Sequence, residues 1–182
     1  LYSKYILMMQ NLGKKLYENK FVLKMSICGF ILGSIYSILG DEFHNLDNLK
    51  KMIATQNGID IRLAILTVFV LFITSGLAAA SGAPGGLFYP MLILGGAIGL
   101  ILGSCSWIPS EALSTYIFAG MGSFVAGCSR TPITAMFLAF ALTKNLLIMK
   151  PVLITCITSF LVARIFNEES IYERQIQIEL GK

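Results

Sequence analysis

From Leu63 to Ser110 the chain carries no charged residue, and after that only Glu111, Arg130, Lys144, Lys150 and Arg164 precede the polar stretch at Asn167. A charge at the centre of a bilayer costs about 2.5–3.5 kcal/mol on insertion scales, so emptiness of this length marks chain that sits in lipid. The composition agrees: 55% hydrophobic, 13% charged, mean hydropathy +0.74. That balance is too apolar for a water-soluble domain of this size. The net charge of +4 points to no nucleic acid, because the Lys and Arg residues lie at the edges of apolar runs and form no patch. An all-α integral membrane protein is expected, with membrane lipid as its first partner.

The apolar run is interrupted once, by Ser81-Gly82-Ala83-Pro84-Gly85-Gly86-Leu87-Phe88-Tyr89-Pro90. A regular helix cannot continue through it, since proline lacks an N–H and drives the preceding residue out of the α region. Gly85-Gly86 lets the backbone turn sharply and brings main-chain N–H groups close to a bound group. Pro90 suits the first turn of a new helix, where its missing donor does no harm. The unpaired N–H groups of that turn, those of Leu87 and Phe88 above all, point back into the break with the positive end of the helix dipole behind them. An anion site built from backbone, inside a membrane, is one reading. A packing kink without a ligand is the other.

The remaining spans follow in order. Residues 1–20 carry Lys4, Lys14, Lys15 and Lys20 against Glu18 alone, a basic approach to the first span that the positive-inside rule places on the cytoplasmic face. Phe21 to Leu39 is a span with Gly29, Gly33 and Ser37 on one face, open to the close approach of another helix. Gly40 to Asp60 is a polar connection with a short amphipathic helix around 45–55. Ile61 to Ala80 is long enough to cross, and Pro90 to Cys105 is helical with Gly95, Gly99 and Gly103 at packing spacing. Ser104 to Glu111 makes an interfacial turn around Trp107. Ala112 to Gly127 is rich in small residues, Ser129 to Pro132 is a break in which Arg130 is structural, and Ile133 to Leu142 and Pro151 to Phe166 are two apolar helices too short for a straight crossing. The stretch Glu173 to Lys182 is too charged for lipid and is expected in the cytosol.

Chemistry of other kinds finds no support. Cys28, Cys105, Cys128 and Cys156 are scattered, with no CxxC or Cys/His spacing, so buried free thiols are expected and no metal or other cofactor. His44 falls in the polar connection. No nucleophile and base pattern suggests an enzyme. The chain starts at Leu1 without a signal peptide, and reads as a piece of a longer protein.

Gly86-Leu87-Phe88-Tyr89-Pro90 fits a GxFxP signature, and with Ala119 to Gly122, Ser129 to Pro132 and Ile171-Tyr172 in order behind it the chain resembles the CLC family of chloride channels and proton-coupled chloride transporters. The resemblance implies a CLC-type bundle of tilted, partly broken helices, one of two inverted repeats. Residues 1–182 would be the C-terminal half, working with an N-terminal half that supplies a serine hydroxyl and a gating glutamate, both absent here. It implies an anion site at Gly86, Leu87, Phe88 and Tyr172, with Gly85, Tyr89 and Pro90 forming the turn and helix start, and Phe118 lining the outer path. It further implies a bacterial inner-membrane homodimer joined through helices near 132–143 and 151–166. One departure is local: the family's acidic residue before Met or Leu and Thr is missing from Ala141-Leu142-Thr143.

The function implied is passage of chloride or a similar small monovalent anion, the chloride being cargo. A phenol suits that work, since a neutral donor with a pKa near about 10 holds an ion without the grip of a lysine. Two other readings stay open: a membrane scaffold half that does not transport, and a broken-helix carrier for a carboxylate.

Overall fold

The structure is a computed structural model and describes residues 2–16, 21–39, 61–82, 87–104, 112–166 and 170–179. The polar connection after the first span, with its expected amphipathic helix, the turn at Trp107, Gly85 and Gly86 lie outside the described residues. Among those described the chain is helical throughout: α1 (Tyr2–Leu16), α2 (Phe21–Leu39), α3 (Ile61–Ser81), α4 (Phe88–Gly103), α5 (Leu113–Ser129), α6 (Pro132–Thr143), α7 (Leu146–Phe166) and α8 (Ile171–Glu179). It is an all-α membrane bundle. Both α3 and α7 are long and apolar enough to cross a bilayer, and large apolar side chains such as Phe69, Leu147, Ile154 and Phe166 face outward. Helices whose apolar residues surround them on all sides fit a lipid solvent.

In lipid, helices associate through close packing rather than through burial from water. The glycines of α4 and α5 supply it here. A Cβ built on Gly95 would lie 2.5 Å from the Gly120 carbonyl oxygen, and one on Gly99 would strike the carbonyl of Tyr116. Among the described residues α4 and α5 make the most extensive helix contact, with α5 next packed on α7. Gly122 lies over Cys156 and Val152, and Ser159 donates a hydrogen bond to the Ser123 carbonyl at 2.7 Å. Arg130, left-handed at φ 64°, ends α5 and donates to the Ala163 carbonyl of α7 at 2.7 Å.

Two expectations need correction, and a third finds no partner among the described residues. The segment before the first span is more than a basic approach: α1 places Tyr2, Ile6 and Gln10 in the interior, stacks Tyr5 on Phe72 at 4.2 Å and sets Tyr2 edge-on to Phe72 and Phe124. Tyr2, Ile6, Gln10 and Gly13 recur at helical spacing, the periodicity that betrays such a face. The Gly29, Gly33 and Ser37 stripe, by contrast, meets no described helix; a Cβ on either glycine has nothing within 4 Å, whereas Lys24 of the same helix is buried. Finally, α7 starts at Leu146, not at Pro151, and is long enough to span. Asn145 explains this start, since its Oδ1 accepts from the Leu147 N–H at 3.0 Å, an N-cap. Pro151 sits inside the helix and forgoes one main-chain bond.

Candidate functional site

The end of α3 is closed by hydrogen bonds of its own, and the start of α4 lacks a side-chain cap from its N-cap residue. Ser81 ends α3 with its hydroxyl donating to the Ala78 carbonyl at 2.7 Å. Gly82 follows at φ 72°, its N–H reaching the Ala79 carbonyl at 3.3 Å, a left-handed termination that glycine makes without strain. The chain returns at Leu87, the N-cap of α4, whose carbonyl accepts from the Met91 N–H at 3.2 Å. Among the described residues no side chain caps α4, its N-cap Leu87 having no polar atom to offer. Helix geometry therefore leaves the Leu87 and Phe88 N–H groups without an intrahelical acceptor. Tyr89 and Pro90 stand in this first turn.

This helix start is inside the bundle. Leu87 is 6% exposed, and Phe88, Tyr89 and Pro90 are half-buried. Leu87, Met91, Phe118 and Ile171 belong to one buried cluster, with Phe88 and Tyr89 packed against it. All three helices thus contribute to one core, but with Gly95 against Gly120 and Gly99 against Tyr116, Phe118 lies level with the middle of α4 and away from its start. A helix of this length carries about half a positive charge at its N-terminus, and in a low-dielectric interior that partial charge is felt more strongly than in water.

Tyr172 is the second residue of α8 and lies at the rim of that cluster, 37% exposed. Its phenol is within electrostatic range of the Cys128 thiol on α5 and the Tyr2 phenol on α1. Phe118 is buried among core side chains. Leu87 and Phe118 are therefore buried in the same core, Phe118 away from the helix start, and Tyr172 follows the buried Ile171 at the start of α8.

What holds Tyr172 has a local sequence signature. Ser170-Ile171-Tyr172-Glu173 is an S-x-x-E pattern, the signature of a capping box. The Ser170 N–H donates to Glu173 Oε2 at 2.7 Å and the Glu173 N–H donates to Ser170 Oγ at 3.1 Å. The hydrogen bond from the Ser170 backbone, then its hydroxyl, then the charge of Arg130, hold the Glu173 carboxyl below the usual carboxylate range. Ile171 is buried beneath and anchors the turn.

Among the described residues no group of three His, Cys, Asp or Glu side chains could hold a metal. Cys28, Cys128 and Cys156 are free thiols. What the arrangement offers is neutral donors: main-chain amides of an uncapped helix start and a phenol on a neighbouring helix.

Comparison with known proteins decides the family. Residues 1–164 match the family described as voltage gated chloride channel. The chain belongs to that family. A similar curated protein is the H(+)/Cl(-) exchange transporter ClcA of Klebsiella pneumoniae, 28% identical over 190 residues that take in 100% of this chain and 40% of the relative. The protein of the same name from Vibrio parahaemolyticus is 32% identical over 156 residues, 81% of this chain and 33% of the relative. Among solved structures, a slow cyanobacterial Cl−/H+ antiporter superposes with a TM-score of 0.71 at 24% identity, covering 100% of this chain and 47% of that one. That likeness shows a shared fold. The chain thus spans less than half the length of these relatives.

Proposed function

We propose that this chain carries one half of the anion pathway of a chloride transporter of the voltage gated chloride channel family, an integral protein of a bacterial inner membrane. The observation that supports it most directly is the uncapped start of α4, buried within the bundle with the N–H groups of Leu87 and Phe88 unclaimed by the helix. An anion leaving water must exchange its hydration shell for donors, because unsatisfied polar groups in lipid cost several kcal/mol. Gly86, Leu87 and Phe88 would provide main-chain donors, with Gly85, Tyr89 and Pro90 shaping the turn, and Tyr172 a hydroxyl. Phe118 would line the path further out. A full positive charge at the site would bind the ion too firmly for it to leave.

The names of the relatives, exchangers of H+ for Cl−, support chloride as the ion and coupling to protons as the mode. A serine and a gating glutamate would come from an N-terminal half. The exposed apolar faces of α6 and α7, Ile133, Phe137, Ile154 and Leu161 among them, support pairing of two subunits through 132–143 and 151–166, and residues 173–182 would face the cytosol.

Crystals of the full-length protein grown in bromide test the site. Anomalous density beside residues 86–88 is expected, and bromide bound only far from them would overturn the reading. Tyr172→Phe should weaken halide binding about three- to tenfold, the loss of one neutral hydrogen bond, and leave assembly intact. Chloride flux from liposomes separates a transporter from a scaffold, and a binding screen of halides against carboxylates separates it from a carboxylate carrier.

A further inference from the structure

We propose that Gly13 is a positioning residue for the anion site: its bare Cα lets α1 lie against the main chain at the end of α3, and so sets where the break opens. This rests on the reading of the break as an anion site.

Gly13 is buried on α1, one turn beyond Gln10. A Cβ built there would strike the Ala80 carbonyl oxygen and lie 2.9 Å from the carbonyl carbon. The obstacle is main chain, which cannot swing aside as a side chain does. A glycine inside a helix is less favourable than alanine, so what it contributes here is the close approach. Ala80 stands two residues before Gly82, the left-handed residue at which α3 terminates. In this last turn the Ala78 carbonyl accepts from the Ser81 hydroxyl and the Ala79 carbonyl from the Gly82 N–H. The next carbonyl, that of Ala80, faces α1.

The same helix is fixed to the far side of the break. Tyr5 stacks on Phe72 of α3 at 4.2 Å, so α1 and α3 run in the same direction from Phe72 to Ala80. Tyr2 lies edge-on to Phe124 of α5 at 5.3 Å. Phe124 in turn lies against α4, since a Cβ on Gly95 would be 2.7 Å from Phe124 Cβ. The helix that leads into the break touches α1 directly, and the pair that carries the chain out of it touches α1 through Phe124. A methyl group at Gly13 requires the last turn of α3 to recede by about 1 Å to regain an ordinary separation, while α4 stays with α5. The break then opens on one side, and hydrogen bonds to an ion held there weaken with displacement.

Calorimetry of bromide binding to the full-length protein tests this. Gly13→Ala should raise the bromide Kd about three- to tenfold. Gly76→Ala is the control from the same seam. A Cβ there would strike the Tyr5 ring, a side chain that can turn, and the Kd should stay within about twofold of the unsubstituted value. A role in stability alone would lower the melting temperature and the fraction of protein that binds, and leave the Kd of the folded remainder unchanged.

An unchanged Kd in Gly13→Ala would overturn the proposal, as would an equal rise in both variants. Should Gly13→Ala fail to assemble, the unsubstituted protein decides, because coupling between ion and helix is reciprocal. Saturating bromide should slow amide hydrogen exchange at residues 13–16 more than in α6, and equal slowing in both would overturn the proposal. Bromide bound only far from residues 86–88 in crystals of the unsubstituted protein is the failure of the anion reading. Bromide at 86–88 with an unchanged Kd in Gly13→Ala is the failure of this proposal alone.

Discussion

Gly95 of α4 and Gly120 of α5 face one another so closely that a Cβ on either would meet the other's carbonyl oxygen. The obstacle on both sides is main chain, which cannot rotate away as a side chain can. The two helices that bear Leu87 and Phe118 are therefore held in register by the absence of two methyl groups.

Gly120→Ala should accordingly destabilise the fold by about 3 kcal/mol, the upper end for overpacking, since the new Cβ would also lie 2.9 Å from the Gly99 Cα. Thermal unfolding in detergent measures this. A loss under about 1 kcal/mol would mean that α4 and α5 can separate without penalty, and that the start of α4 is not fixed by this contact.

Gly122 presents a softer obstacle. A Cβ there would lie 2.8 Å from Cys156 Sγ and 3.1 Å from Val152 Cγ1, side-chain atoms of α7. Gly122→Ala should cost about 1–2 kcal/mol, less than Gly120→Ala. Cys156→Ala opens the space, so the double variant should be more stable than the sum of the singles by at least about 0.5 kcal/mol. Strict additivity in a thermal unfolding cycle would show that Gly122 and Cys156 do not meet.

The contrast between these glycines marks how far the sequence could be read. Four-residue spacing at Gly95 and Gly99 predicted helix packing, and the spacing at Gly29 and Gly33 predicted the same with equal force. Only the first pair found a helix among the described residues. Spacing states that a face is flat; it does not state what lies opposite, because that is fixed by residues distant in the chain. The start of α4 was legible because Pro90 and the paired glycines act locally. The clamp from Arg130 to Ala163 was not, since a hydrogen bond between residues so far apart leaves no periodic trace. The face of α1 was legible in principle, as Tyr2, Ile6, Gln10 and Gly13 share one side of a helix, although Lys4, Lys14 and Lys15 give the segment a polar composition.

The junction of α6 and α7 depends on two adjacent residues with opposite effects. Lys144 ends α6 at φ 51° and its N–H reaches the Phe140 carbonyl at 2.7 Å. Lys144→Gly should be neutral or stabilising by up to about 1 kcal/mol, since glycine removes the left-handed penalty while adding some chain entropy. Asn145→Ala should cost about 1 kcal/mol by uncapping α7. Hydrogen exchange at Leu147, whose N–H is bound by Asn145, should quicken in the alanine variant alone; quickening in both would point to the loop backbone instead.

Acid should loosen α8 first. The Glu173 carboxylate accepts from the Ser170 N–H and its pKa lies below the ordinary value. A carboxyl lowered in the folded state adds stability that is fully present above the unfolded pKa of about 4.3, and loses it as pH falls through the folded value. The cap should therefore hold at neutral pH and open only under distinctly acid conditions. Glu173→Gln retains an acceptor but has no charge to lose, so its α8 should show no such pH dependence. Ser170→Ala removes the hydroxyl half of the box and should cost about 1 kcal/mol at any pH. Amide exchange at residues 171–174, followed from pH 7 to pH 3 and corrected for intrinsic rates, separates the three. A wild-type profile as flat as that of Glu173→Gln would show that the carboxylate does not hold the helix start, and Tyr172 would then owe its position to Ile171 and the contacts of α8 with α1 and α5.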